Sequence, residues 1–521
     1  MKRLLPLLLT LLAACCLIPL SAHAAGQEAE NITDKSIVTE SKGIRSVGSL
    51  FDGEKNKGWN SEKNCTLTLE HESGFGSLYL IFGRTYGQYT VKDNTTGKVV
   101  TAGQYGYVHD YLDMVALFGN APTSVTLQFD NGQVLALYEL EAYTVGAVPD
   151  TVQIWKQAPE NKTDMILFAT HSDDDQLFFA GLLTYYAVER DCEVLVVYLT
   201  NHWNTADFRI HEALNGLWSV GLRNYPVFGT YADFADAANF KEAFGKFKVF
   251  GHTQESMTGF VVEQLRRYKP QVVVGHDIKG EYGHIQHRVY SLLVREAVGV
   301  SADAGFAPET AEKYGVWEVP KTYIHLYDEN KIVMDFDQPM KAFNGMTPYE
   351  VSRDIGFECH PSQHRNWKKY FAGNPTAASI EFYNPCQYGL FRTSVGEDVD
   401  KNDMFENLIS YAEQARIAAE EAEKQAEQER IAAEEAARKE EEARKAEEER
   451  QAEEKRKAEE ARLEEEECLR QEAIRVEEEK RGTILILCGG VCLAAFLAAA
   501  VILIVRAVRR RRRTEEENED V

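Results

Sequence analysis

From residue 404 to residue 481 the chain holds neither glycine nor proline and consists almost entirely of Glu, Ala, Lys, Arg and Gln. These are strong helix formers, and many Glu and Lys/Arg residues sit four apart, so the segment is confined to a solvated helix. Residues 412–481 carry 26 acidic and 16 basic residues, which supplies −10 of the chain's net charge of −25. Large apolar residues do not keep heptad a and d positions, although Ala recurs at 415, 419, 422 and 426. Two forms remain open: a single helical stalk of roughly 100 Å, or an Ala-lined coiled coil that would make a homo-oligomer.

The stalk divides the 521 residues. Beyond it, Gly482 to Val505 is apolar and uncharged, long enough to cross a hydrocarbon core of about 30 Å. Arg506 and Arg509 to Arg513 follow, and such a cluster holds its side in the cytoplasm. At the other end, Lys2 and Arg3 precede an apolar run from Leu4 to Leu20 and then Ala22-His23-Ala24, the pattern of a signal peptide covering residues 1–24. The expectation is a single-pass type I membrane protein of a bacterial surface. Residues 482–505 would span, 506–521 would form a short cytoplasmic tail, and everything between signal and span would be exocytoplasmic. The acidic balance argues against a nucleic-acid partner. Cys65, Cys192, Cys359, Cys386 and Cys468 form no CxxC and no dense spacing, so neither a disulfide scaffold nor a Cys-based zinc site is indicated, and Cys359–Cys386 is a candidate bridge.

Two folded regions are expected before the stalk. Residues 36–147 alternate in short strands, among them Cys65-Thr66-Leu67-Thr68-Leu69 and Ser124-Val125-Thr126-Leu127-Gln128-Phe129, with turns at Asp52-Gly53 and Asn94-Thr95-Thr96-Gly97. That spacing predicts an all-β sandwich. Residues 150–403 change period, with apolar strands at 165–169, 193–199 and 271–274 separated by helical patterns. This predicts a Rossmann-like α/β domain with a mostly parallel sheet, whose sites form at strand carboxyl ends.

The first of those strands ends in Thr170-His171-Ser172-Asp173-Asp174-Asp175. A histidine and three acids at one strand end repel unless a cation joins them, and imidazole with carboxylate but no thiolate suits an open, catalytic zinc site. Far along the chain, His284-Ile285-Gln286-His287 adds two imidazoles at the start of a helix.

These clusters, with Arg209-Ile210-His211-Glu212 between them and His360-Pro361-Ser362-Gln363 after them, resemble the motifs of the PIG-L/LmbE-like zinc de-N-acetylases. The stretch Leu50-Phe51-Asp52-Gly53 with Gly58-Trp59-Asn60 more weakly resembles discoidin-like, galactose-binding-like sandwiches. The first resemblance implies a Zn2+-dependent enzyme that removes acetyl from an N-acetylglucosamine-type sugar or glycoconjugate. It implies His171, Asp174 and His287 as metal ligands and Asp173 as the general base toward the attacking water. It further implies His284 as the group assisting the oxyanion or leaving amine, and Arg209 as a contact to sugar hydroxyls or phosphate. Arg209 could instead form a structural ion pair with Glu212. Ser172 and Asp175 depart from the family's Pro and Glu, which motivates an alternative: a non-catalytic surface glycan-binding protein on a deacetylase-like fold. A third reading makes the stalk a scaffold for partner helices.

Overall fold

The computed structural model describes residues 27–34, 37–201, 207–478 and 498–506. The proposed signal segment, most of the proposed span and all but Arg506 of the tail lie outside them. The chain divides into two compact units after Ala418.

In the first unit, alternation dictates a sandwich. Strand β1 is Val38–Lys42, β2 Cys65–Glu70, β3 Ser77–Phe82, β4 Tyr89–Asp93, β5 Val99–Ala102, β6 His109–Asp113, β7 Ser124–Phe129 and β8 Leu137–Tyr143. They form a five-stranded sheet, β1-β2-β7-β4-β5, and a three-stranded sheet, β6-β3-β8, with every pairing antiparallel. Cys65, Leu67 and Leu69 of β2 turn inward, where they join Val91, Val125 and Leu127 in one core with Leu78, Leu80 and Leu140 of the smaller sheet. Two packed antiparallel sheets are common to many unrelated domains, so this architecture does not by itself confirm the discoidin-like resemblance.

Strands β3 and β8 are buried on both faces, because their outer face meets the α/β region. The Tyr79 hydroxyl lies 2.7 Å from His109 Nδ1, and His109 Nε2 lies 2.9 Å from His211 Nδ1 in the α/β region. Burial presses both rings toward neutrality, His109 well below its ordinary value and His211 to about 4. The Tyr225 hydroxyl accepts from the Val108 backbone amide at 3.0 Å.

The α/β region is built on a seven-stranded sheet. Its strands are β9 Met165–Ala169, β10 Val194–Thr200, β11 Val227–Tyr231, β12 Val272–Gly275, β13 Lys321–His325, β14 Lys331–Val333 and β15 Gln387–Thr393, in the order β11-β10-β9-β12-β13-β15-β14. Strands β11 to β13 are parallel, and β15 runs antiparallel to both β13 and β14. The expected mostly parallel sheet is present. The chain leaves β9 toward β10 on one side and returns to β12 on the other, so the sheet's switch point lies beside β9, where a crevice opens at the carboxyl ends.

The helices that matter for the site are α1 Asp174–Leu177, α2 Phe208–Ser219, α3 Gln254–Tyr268 and α4 Ile285–Val300. The cysteine bridge is corrected: Cys359 and Cys386 are both free, Cys386 buried and Cys359 against Ser219.

Helix α5, Tyr411–Glu478, is unbroken, with ion pairs such as Lys445–Glu441 and Lys457–Glu453, each at 2.9 Å. From Gln414 to Ala461 the side chains of this single chain are exposed on every face. Residues 498–506 are helical, and among the described residues no helix is long and apolar enough to cross a membrane.

Leu167 is completely buried at the centre of β9, the strand that presents His171. Leu167→Ala is expected to lower stability by about 2–5 kcal/mol, read as a fall in the urea midpoint of the full chain.

Candidate metal centre

The site begins with the way β9 stops. After Ala169 the chain turns into α1, and the Asp174 carboxylate folds back so that Oδ2 accepts from the backbone amides of Thr170 at 3.2 Å and His171 at 2.7 Å. The same oxygen lies 3.3 Å from His171 Nδ1 and 3.4 Å from His287 Nε2, while those two nitrogens are 3.2 Å apart. Three donor atoms thus mark a nearly equilateral triangle. A tetrahedral zinc ion with bonds of about 2.0–2.2 Å sets its ligands about 3.3–3.6 Å apart, so the spacing fits such an ion capping the triangle. The three residues are completely or almost completely buried.

His287 comes from the first turn of α4, and the loop before it is tightly bent, with Gly280, Tyr282 and Gly283 all at positive φ. A Cβ at Gly280 would stand 2.6 Å from the His284 carbonyl oxygen, so only glycine fits there.

Behind the triangle sits Glu281, fully buried. Its Oε2 accepts from His276 Nδ1 and His287 Nδ1, each at 2.8 Å, and its Oε1 from His325 Nδ1 at 2.7 Å and the Asp277 amide at 3.2 Å. Burial alone would raise the Glu281 carboxyl, but the surrounding histidines, His276 first, hold it well below the usual carboxylate range. His287 therefore donates Nδ1–H to Glu281 and leaves Nε2 as the nitrogen that faces the triangle, the arrangement that fixes ring orientation in metal-bound histidines. The other ring nitrogen of His325 lies 2.9 Å from the Asn384 carbonyl oxygen. His276 Nε2 is 3.4 Å from Asp174 Oδ2 and forms a second candidate donor group with Asp174 and His287. That nitrogen already accepts the Thr170 amide at 3.0 Å, which occupies its lone pair.

The triangle attracts positive charge. Burial would depress His171 and His287, yet Asp174 raises them to about 9 and about 10. Burial would raise Asp174, but His287 and His171 hold it well below its ordinary value. His171 Nε2 is 3.3 Å from Asp233 Oδ2, which orients its ring from the other side.

The remaining expected residues surround this triangle. Asp173 is buried and forms an ion pair with Arg209 from the first turn of α2. Burial raises its carboxyl and the Arg209 charge opposes that rise. The alternative pairing of Arg209 with Glu212 is not what forms. Glu212 instead accepts from the backbone amide of Ser362 at 3.0 Å and its hydroxyl at 2.5 Å. Arg209 Nε is buried and lacks a partner among the described residues.

His284 stands beside the triangle, 4.9 Å from the His171 ring and 4.8 Å from that of His287 between centroids. Burial, then the charges of His171 and His287, press it to about 4, so the ring is neutral at neutral pH. With His171 and His287 it makes the other candidate donor group.

The two departures from the family motif lie off the triangle. Asp175 accepts from the Tyr198 hydroxyl at 2.9 Å and Gln176 Nε2 at 2.7 Å, and burial pushes it up to about 8. Ser172 is fully buried.

Sequence reasoning missed Glu281, His325 and Asp233, and places His276 near the strand ends only as a supporting or incidental residue. The signal for His276 and His325 was available: each closes or follows a buried strand at the same edge as His171.

Residues 166–298 match the family model PIG-L, GlcNAc-PI de-N-acetylase. A 1D-myo-inositol 2-acetamido-2-deoxy-alpha-D-glucopyranoside deacetylase 1 of Catenulispora acidiphila is 25% identical over 221 residues, which cover 38% of this chain and 68% of that protein. Among solved structures, the N,N'-diacetylchitobiose deacetylase from Pyrococcus horikoshii aligns over 44% of this chain and 84% of its own, at 12% identity and a TM-score of 0.31. An F5/8 type C domain from Bacteroides fragilis aligns over 23% of this chain and 97% of its own, at 10% identity and a TM-score of 0.18.

Replacing Glu281 by Gln should weaken zinc binding about 10–100-fold, measured by competition with a chromophoric chelator. Glu212→Gln, away from the triangle, should leave zinc affinity unchanged.

Proposed function

We propose, from the PIG-L domain that residues 166–298 form, that this protein is a zinc-dependent hydrolase that removes the N-acetyl group from a GlcNAc-type sugar or glycoconjugate. The observation that carries the proposal is the donor triangle of His171, Asp174 and His287, with separations of 3.2–3.4 Å and the Asp173 carboxylate adjoining it in the chain. Two imidazoles and one carboxylate are a donor set of the catalytic zinc type, with three protein ligands and a place left for solvent or substrate. When bound, the ion would polarise the amide carbonyl and make water acidic enough to attack near neutral pH.

The chain's own residues do the rest. Asp173, paired with Arg209, takes a proton from the attacking water and returns it to the departing nitrogen. Arg209 holds Asp173 in place with one arm of its guanidinium, and its unpartnered Nε is free to donate to a sugar oxygen. Neutral His284 donates a ring N–H to the oxyanion without needing a charge of its own. Glu281 keeps His287 in its binding tautomer. Asp175 and Ser172 lie outside these roles, so the motif departures leave the machinery intact. The relative whose name specifies an acetamido-glucosyl inositol substrate supports the amino-sugar class.

The Lys2–Leu20 and Gly482–Val505 segments support an anchored, exocytoplasmic position for the reaction. Substrates there would be surface glycans or glycoconjugates.

The test is acetate release from a panel of N-acetylated glycans by the zinc-loaded full chain. Asp173→Asn should lower kcat by about 10²–10⁴-fold with bound zinc unchanged. Should Asp173→Asn release acetate at the parent rate, the base assignment is wrong. Chelation should abolish acetate release and added zinc restore it, while His287→Ala should lose both zinc and activity.

A further inference from the structure

A cavity of about 460 Å³ opens on the sandwich side of the first unit, bordered by Tyr105, Tyr107, Asp110, Tyr111, Trp155 and Lys156. Its size falls within the range of about 300–1,000 Å³ usual for small-ligand sites. It shares no residue with the donor triangle or its supporting groups, and three features mark it as built for a ligand.

The first is an aromatic wall. Tyr105 is half exposed and stacks on Tyr107, centroids 5.5 Å apart, and Tyr107 stacks in turn on Tyr225 at 4.3 Å. Trp155 Nε1 donates to Gln153, and its ring packs edge-on against Tyr225 at 5.6 Å, which braces the wall. Flat rings of this kind accept the C–H face of a pyranose or a cation.

The second is an orphaned donor. Tyr107 is 8% exposed, and its hydroxyl is buried with no hydrogen-bond partner among the described residues. Such a group costs stability unless something arrives to bond it.

The third is a carboxylate with no counter-ion. Asp110 Oδ2 accepts from the Tyr89 hydroxyl at 2.7 Å, and no Lys, Arg or His pairs with it among the described residues. Lys156, at the rim, is committed to Glu193 at 2.8 Å. Burial pushes Asp110 up to about 6, the mark of an acid lacking positive charge nearby.

We infer that this cavity binds an amino-sugar residue whose nitrogen is a free ammonium. The sugar ring lies on the exposed face of Tyr105, the ammonium meets Asp110, and a sugar oxygen accepts from the Tyr107 hydroxyl. The choice of ligand rests on the deacetylase reading, because hydrolysis of an N-acetylated sugar leaves that ammonium. The cavity would then hold a glycan by a unit already processed.

The experiment is calorimetric titration of the zinc-loaded full chain with glucosamine trisaccharide and with cellotriose, which has a hydroxyl in place of each ammonium. Glucosamine trisaccharide should bind at least tenfold more tightly than cellotriose. Tyr105→Ala, at a half-exposed position that should not disturb the core, should weaken it at least tenfold. Asp110→Asn, which keeps an acceptor for Tyr89, should erase the preference over cellotriose. Neither variant should change acetate release from a short N-acetylated substrate. Failure of the parent to bind glucosamine trisaccharide, a parent with no preference for it, or undiminished binding in both variants would overturn the site. Should the parent bind and discriminate as expected yet release no acetate from any glycan, the cavity assignment stands and the deacetylase reading falls.

Discussion

Everything in the α/β region converges on the buried Asp174 carboxylate. It caps the turn after β9 through two backbone amides and at the same time faces two imidazole nitrogens from segments 116 residues apart. A carboxylate removed from water is expensive unless paired and hydrogen-bonded. Here the compensation comes partly from the amides and partly from whatever positive charge fills the triangle. That double duty ties the fold to the chemistry, because the oxygen that stabilises the strand–helix turn is also the one offered as a ligand. The sheet topology makes the meeting unavoidable. With β10 and β12 on opposite sides of β9, the loops after β9 and β12 open into one crevice, and α4 brings His287 into it.

Glu281 shows why the site is rigid. One carboxylate collects His276, His287, His325 and the Asp277 amide, so the loops following β12 and ending β13 are locked to the start of α4. A network of this kind is costly when half satisfied and well defined when complete. Glu281 accepts four hydrogen bonds and His325 is satisfied at both nitrogens. Among the buried groups left without a partner in the described residues, Arg209 Nε and His284 Nδ1 belong to residues bordering the triangle.

Much of this could be read from the sequence, and the reason is periodicity. Buried strands announce themselves as apolar runs, so β9, β10 and β12 were legible, and with them the placement of His171 and Asp174 at a strand's end. The sandwich was legible from the alternation in β2 and β7. Strands β13 to β15 were not: Lys321 and His325 interrupt the apolar pattern because each is buried with a specific partner, Lys321 with Asp398 and His325 with Glu281. Pairing between distant residues leaves no local trace, so Arg209 with Asp173 and Glu212 with Ser362 could not be told from Arg209 with Glu212. The charge state of His284 was equally hidden, since it depends on the two other imidazoles the fold places beside it. The Cys359–Cys386 suggestion failed for the same reason, since spacing alone says nothing about which thiols meet.

The sandwich enters the site through one helix. On α2, Arg209 and Glu212 lie three residues apart and share a face, while His211 between them points elsewhere, to His109 of β6. The run Tyr79–His109–His211 is buried throughout and consists of neutral groups, so its hydrogen bonds are directional without the looseness of an exposed ion pair. At the opposite end of α2, Gly216 allows His360 to approach so closely that a Cβ would stand 2.7 Å from Nε2. The helix is therefore held in rotation by the sandwich on one side and by the segment around His360 on another, and that rotation sets where the Arg209 guanidinium points. The sandwich is thus part of the frame that aims Arg209 at Asp173, rather than a module merely preceding the α/β region in the chain.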